Sequence, residues 1–242
     1  MKLTVMTYNT QSGFSVGRAS HDHMAQVQEI ASYSPDLVAL QEVAIRHPKG
    51  KPVDYPAAAA RELNMNYLFA NAFDLGENSY YGVALLSKFP MEKVAEIMLP
   101  VPENIEPRIA LVAKVNAPQP FYAVSTHLSY QGEFEGDEEG RAVQIKTVLD
   151  FLEKNSLYPA ILAGDLNATP DTAALNALRE NFTVLSDGRE EMLTANSTKY
   201  GWVQIDYISL SKDGAWHCDS LRKGKDCTVS DHYAVIAELT LD

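Results

Sequence analysis

Two strand–helix–strand stretches of similar layout constrain the fold of this chain most. The first has a strand-like apolar segment at 3–10, a helical segment at 22–32 and an apolar segment at 37–43. The second repeats that order at 121–128, 138–155 and 160–166. The strand segments are rich in Val, Ile, Leu, Tyr and Thr, as half- or fully buried strands require. In the helical segment at 138–155, Ala142, Ile145, Val148, Leu149 and Leu152 recur at three- and four-residue spacing and form one apolar face. Further strand segments fall at 67–70, 81–87, 94–99, 109–115, 204–209 and 233–240, and further helices at 56–64 and 172–180. No Gly/Ser- or Pro-rich linker divides the sequence, so residues 1–242 read as one domain. Two sheets packed face to face, with helices outside, satisfy this pattern.

Polar side chains stand where the apolar runs stop. They occur in Thr7-Tyr8-Asn9, in Gln41-Glu42, in Ser125-Thr126-His127, in Gly164-Asp165-Leu166-Asn167 and in Ser230-Asp231-His232. A further acid, Asp206, lies inside the run Gln204-Ile205-Asp206-Tyr207. An acid flanked by buried residues is costly unless it is paired or holds a cation. Each residue alone has an ordinary explanation. Asp165 or Asn167 could form an Asx turn, His127 could be a satisfied strand-end histidine, and Arg108 could be half of a surface ion pair. Glu42 fits a surface role poorly after the run LVAL. The acids Glu42, Asp165, Asp206 and Asp231, at positions similar to those of His127, His232, Asn9 and Asn167, point instead to one shared site. The two stretches would then bring their reactive groups together along one edge of the sandwich.

The order of these motifs, from TYN at Thr7 through QEV, STH, GDLN and ID to SDH at Ser230, resembles the endonuclease/exonuclease/phosphatase superfamily of deoxyribonuclease I-like phosphohydrolases. The segments YGVALLS at 81–87 and Arg108-Ile109-Ala110-Leu111 also match. The resemblance implies an α+β fold, a four-layer αββα sandwich, and hydrolysis of phosphate esters with Mg²⁺, for which Mn²⁺ could substitute. It makes Glu42 the principal metal ligand, assisted by Asn9, with Asp231 beside the metal; a hard cation wants such oxygen ligands. Asp165 would orient and deprotonate the attacking water. Asn167 would hydrogen-bond that water or the phosphoryl oxygens. His232, held by Asp206, would contact phosphate or act as acid–base group; such a pair fixes the tautomer and stabilises the charged ring. His127 would donate to a phosphate oxygen or to the leaving group, and Arg108 would bind phosphate. His21, His23, His47 and His217 match no motif of the family and read as structural or exposed.

Charge narrows the substrate. Lys+Arg number 20 and Asp+Glu 32, a net charge of −12, which argues against holding long nucleic acid by phosphate neutralisation. A small phosphodiester or phosphomonoester is favoured. A nuclease is the alternative, and a catalytically silent phosphate-binding module is the alternative of another class, against which the intact residue set argues. Ser125-Thr126-His127-Leu128 stands where apurinic-site nucleases of this family carry a Tyr-x-Pro-Asn-like segment. The acids Glu133, Glu135, Asp137, Glu138 and Glu139 follow His127 closely. They suit a solvated loop that favours the helix N-terminus, or a rim that repels extended polyanions. No apolar window is long enough to span a membrane, and nothing marks a surface for a protein partner. The opening MKLTVMTYNT lacks a secretory pattern, so a cytoplasmic location is expected. Cys218 and Cys227 read as free thiols, with a disulfide closing their loop as the alternative. Tyr81, in the aromatic pair Tyr80-Tyr81, is expected in the core.

Overall fold

The computed structural model describes residues 1–130, 138–197 and 201–242. The first half comprises β1 (Lys2–Asn9), α1 (His23–Ser32), β2 (Leu37–Ile45), α2 (Tyr55–Leu63), β3 (Asn66–Gly76), β4 (Ser79–Ser87), β5 (Met91–Leu99) and β6 (Arg108–Val115). The second comprises β7 (Phe121–His127), α3 (Glu138–Lys154), β8 (Ala160–Asp165), α4 (Ala173–Asn181), β9 (Phe182–Val184), β10 (Ala195–Ser197), β11 (Gly201–Val203), β12 (Asp206–Ser211), β13 (Trp216–Lys223) and β14 (Val235–Leu241). Two six-stranded sheets result, in the orders β13-β14-β1-β2-β4-β3 and β5-β6-β7-β8-β12-β9. Each sheet holds one parallel pair, β1–β2 and β7–β8, between antiparallel neighbours. A parallel pair needs a crossover, and α1 and α3 supply it. The two stretches seen in the sequence are these two units. The short strands β9, β10 and β11 are too brief for a periodic signal. The edge strand β13, WHCDSLRK, is too polar to read as one.

Strand alternation places the core and the site together. In β1, Leu3 and Val5 pack between the sheets, whereas Met6 and Tyr8 pack under α1 and α2. In β7 and β8, Ala123, Ile161 and Ala163 face the inter-sheet core, and Val124 and Leu162 face α3 and α4. The layers are therefore helices, sheet, sheet, helices. Beneath the strand ends a buried polar layer crosses the gap. Thr7 Oγ1 donates to Gln41 Oε1 at 3.1 Å, Gln41 Nε2 to Ser125 Oγ at 3.3 Å, and Ser125 Oγ to the Leu40 carbonyl at 3.2 Å. These bonds fix one sheet against the other directly below the polar strand ends.

Gly164 shows how tightly β7 and β8 approach there. A Cβ at this position would overlap the Thr126 carbonyl oxygen. Gly164→Ala is therefore expected to force the strands apart and to destabilise the fold by about 2–4 kcal/mol. Chemical denaturation checks this; a loss below about 1 kcal/mol would contradict it.

Helix ends follow local chemistry. Asp22 Oδ1 accepts from Met24 N at 3.2 Å and Asp54 Oδ1 from Ala57 N at 3.1 Å, capping α1 and α2. On α3, Ile145, Val148, Leu149 and Leu152 are buried as expected, while Ala142 is half-buried. Gln144 is buried beside them, accepting from Ser129 N at 3.0 Å and donating to the Pro100 carbonyl at 2.9 Å. It ties α3 to the segment that leaves β7. Cys218 and Cys227 are free thiols. Among the described residues, no helix is long and apolar enough to cross a membrane. Glu133, Glu135 and Asp137 lie outside the described residues, and Glu138 and Glu139 open α3.

Candidate active site

The inter-sheet faces of four strands run out at one edge. Asn9 continues the face of Leu3 and Val5 on β1. His127 continues that of Ala123 on β7, and Asp165 that of Ile161 and Ala163 on β8. Asp206 opens the face of Ile208 and Leu210 on β12. Register aligns them, since His127 pairs with Asp165 across the parallel ladder and Asp206 with Asp165 across the antiparallel one. His232 precedes β14 by three residues, and Ser230 Oγ binds the Asn9 carbonyl at 2.8 Å, drawing that segment to the end of β1.

Glu42 reaches this edge by a different route. It was expected where its strand ends, but β2 continues to Ile45. A β-bulge separates Leu40, opposite Ala84, from Val43, opposite Gly82. Simple alternation would turn Glu42 toward the helices with Val38 and Leu40, whereas after the bulge it is Val43 that packs there. The extra residue and a φ of 52° re-aim its side chain. Thr10 Oγ1 and Ser12 Oγ bind the Glu42 carbonyl at 3.2 and 3.0 Å.

A cavity of about 360 Å³ opens over this edge. Glu42, Arg108, His127, Asp165, Asn167, Asp231 and His232 line it. Asn9 and Asp206 lie just behind. Asn9 Nδ2 donates to Glu42 Oε1 at 3.1 Å and to Asp165 Oδ2 at 2.9 Å, so one amide holds two carboxylates. His232 Nδ1 contacts Asp206 Oδ2 at 2.8 Å, and its Nε2 lies 3.8 Å from Asp165 Oδ2. Burial opposes charge on His232, but Asp206, Asp165 and Asp231 outweigh it and hold its pKa up to about 10. Burial, then Asp206, push the Asp165 carboxyl up to about 7, against the pull of His232. Asp165 Oδ1 also accepts from Asn167 N at 2.9 Å, so the Asx bond exists and orients this carboxylate within the site.

His127 is electrostatically unlike His232. Burial, then Arg108 and His232, hold its pKa well below the ordinary value, so the ring is neutral. Arg108 Nη1 sits 3.0 Å from Nδ1, and an arginine can only donate, so a donor faces that nitrogen. Nε2 lies 3.0 Å from Asn167 Nδ2 and 3.5 Å from Asp165 Oδ2. Asn167 Nδ2 also donates to the Leu128 carbonyl at 3.1 Å, which fixes its amide so that its second N–H faces Nε2, and both ring nitrogens of His127 therefore meet donors.

Other residues on the wall, and Gln11 bonded behind Asp231, have no single-residue signal. Tyr81 is half-buried and lines the cavity, not the core as expected. Glu106 pairs with Arg108 at 2.7 Å. Gln11 Nε2 donates to Asp231 Oδ2 at 2.6 Å, while its buried Oε1 has no partner among the described residues. Arg18, Tyr130 and Asn196 complete the rim. The juxtaposition of Glu106 and Arg108 two apart, and Arg18 directly after a glycine and soon after TYN, are the only traces of these in sequence.

Asp165, Asp206 and His232 offer ligand atoms all within 4.8 Å of one another. A protonated imidazole has no lone pair to give, and Nδ1 is committed to Asp206, so this group reads as a charged pair beside a carboxylate and not as a cation cage. Glu42, Asp165, Asp206 and Asp231 nevertheless leave excess negative charge on this edge, since Arg108 is matched by Glu106. A cation near Glu42 and Asp231 would offset it.

A model of the endonuclease/exonuclease/phosphatase family matches residues 6–232. No curated protein matches the chain. Among solved structures, an endonuclease/exonuclease/phosphatase from Beutenbergia cavernae superposes with a TM-score of 0.79 at 21% identity, covering 99% of this chain and 72% of that one. The human Nocturnin catalytic domain gives 0.71 at 19%, covering 100% and 94%. A mannosyl-6-phosphatase from Bacteroides thetaiotaomicron gives 0.73 at 16%, covering 99% and 100%. At such identities the likeness carries the fold, a two-sheet α+β sandwich.

Proposed function

The chain belongs to the endonuclease/exonuclease/phosphatase family, and from that premise we propose that it is a Mg²⁺-dependent hydrolase of small phosphate esters. The observation that carries this reading is the convergence of Asp165 with the Asp206–His232 pair, beside Glu42, at one cavity floor. Glu42, Asp231, the Asn9 amide oxygen and the buried, unpartnered Gln11 Oε1 would supply an oxygen-only donor set of the kind a hard divalent cation takes. Mg²⁺ held there, or Mn²⁺ in its place, would polarise a phosphoryl oxygen and offset its charge.

The residues themselves divide the remaining work. Asp165, with a pKa raised to about 7, accepts the proton of the attacking water. Asn9 and the Asn167 backbone amide hold its two oxygens in place. His232, kept charged by Asp206, donates from Nε2 to a phosphoryl oxygen as negative charge builds on it. His127, neutral, stands on the other side of Asp165, with Nε2 3.5 Å from its Oδ2. The Asn167 side chain and Arg108, both on the cavity wall, would bind phosphoryl oxygens. The cavity volume suits a small ester, and the net charge of −12 disfavours long polyanions.

A screen of p-nitrophenyl mono- and diesters, sugar phosphates and oligonucleotides, with Mg²⁺ or Mn²⁺ added, tests the reading. Hydrolysis of a small ester that stops on chelation is expected; no hydrolysis of any member with either ion would overturn it. Glu42→Gln is expected to raise the Mg²⁺ concentration for half-maximal activity by on the order of tenfold or more, because an anionic ligand becomes neutral at constant shape. An unchanged Mg²⁺ requirement would remove Glu42 from the donor set.

A further inference from the structure

We propose that Arg18 forms a second anion subsite at the cavity mouth, so that the preferred substrate carries another phosphoryl or carboxylate group besides the phosphate that reacts. This rests on the phosphate-ester reading above and specifies its substrate class. Residues 13–22 fold back on themselves with Arg18 at the tip. Phe14 bridges His21, Ser15 N donates to the Ser20 carbonyl at 3.0 Å, and Ser20 N donates to Ser15 Oγ at 2.9 Å. Val16 N reaches the Thr228 carbonyl at 3.2 Å, which ties the tip to the segment leading to Asp231.

The tip is held in a conformation that side chains resist. Gly17 has φ 63° and Arg18 φ 54°. Glycine would take the second position without strain, so what this position adds is the guanidinium. That guanidinium lies over the Phe14 ring, 5.2 Å from its centroid. Phe14 is itself gripped edge-on by His21 at 4.6 Å and His47 at 5.1 Å. His21 is fixed in turn, with Nε2 3.0 Å from the Ser12 carbonyl and Nδ1 accepting from Lys51 N at 3.1 Å. A Cβ at Gly50 would overlap the His21 ring, so this packing depends on the absence of a side chain there. Histidines that match no family motif thus build a shelf for one exposed cation.

Charge makes the shelf meaningful. Arg108, the other arginine on the wall, is buried and engaged by Glu106 and His127. Arg18 is exposed and makes no ion pair among the described residues, although the surrounding wall carries Glu42, Glu106 and Asp231. A preorganised fork of donors facing the same cavity as the reaction centre suits an oxyanion held at a distance from the scissile phosphate.

Calorimetric binding of a hexose bisphosphate, a carboxylated phosphomonoester and a hexose monophosphate, in the presence of Ca²⁺, tests the proposal without relying on turnover. The wild-type chain is expected to bind at least one of the two ligands with a second anionic group more tightly than the monophosphate. Arg18→Gln should weaken that ligand by on the order of tenfold or more, and the monophosphate by about twofold at most. If only the bisphosphate responds, the second group is phosphoryl; if only the carboxylated ester responds, it is carboxylate. Phe14→Leu, which leaves the arginine but removes its ring, should shift the same ligands in the same direction by less. Equal weakening of all three ligands, or no wild-type preference, would overturn the subsite. Failure of the chain to hydrolyse any ester would instead defeat the parent reading, and the binding comparison would still decide Arg18.

Discussion

Asp165→Asn is expected to lower turnover by on the order of 10³-fold while leaving the fold intact, because it removes the carboxylate that, on the proposed mechanism, takes the proton of the attacking water. The amide matches the carboxylate in shape. It still accepts one of the two bonds now supplied by Asn9 Nδ2 and Asn167 N, and loses about 1 kcal/mol for the other. Against that loss, the substitution removes a buried charge that burial already disfavours. The melting temperature should therefore move by only a few degrees. Stopped assays at saturating substrate and metal, paired with thermal denaturation, separate the two effects. Turnover within a few-fold of wild type in the folded variant would show that another group accepts the proton. In the wild type the same assignment makes activity fall as pH drops through about 7, since Asp165 must be ionised to act.

Asp165 is legible in the sequence because the geometry behind it is simple. An acid at the end of a buried run, on a strand whose alternate residues face a core, must emerge at that core's edge. The same logic carries Asn9, His127 and Asp206, and it carries the pairing of β1 with β2 and of β7 with β8. It fails for Glu42, whose alternation points the wrong way and which reaches the site through a bulge at φ 52°. A bulge leaves no periodic trace, so only the motif order marks Glu42. It fails also for Tyr81, Glu106 and Gln11, whose place depends on what packs opposite them and not on their own neighbours in sequence. The edge strand β13 escapes a sequence reading because its outward residues are polar, as an exposed edge requires.

Asp206→Asn carries the second large effect, and a distinctive one. Asp206 does not line the cavity; in the proposed mechanism it acts through His232, whose Nδ1 it meets at 2.8 Å. The amide oxygen of the variant can still accept from that nitrogen, and its NH₂ would occupy the place of Oδ1, which has no partner among the described residues. The hydrogen bond survives and the charge does not. Without that charge, only Asp165, Asp231 and the surviving hydrogen bond still oppose burial, and the pKa falls from about 10 toward the ordinary value. On the proposed mechanism His232 acts as a cation, so the rate should decline as pH rises through this pKa. The wild type should hold its rate until pH approaches 10, whereas the variant should lose it from near neutrality. At a pH of about 8 the variant is expected to be slower by on the order of 10²-fold, with a smaller deficit as the pH is lowered. A purely structural role for Asp206 would depress the rate at every pH and leave the alkaline limb in place. An unmoved limb in the folded variant would therefore remove the charged His232 from the reaction and leave its contact with Asp206 as packing alone.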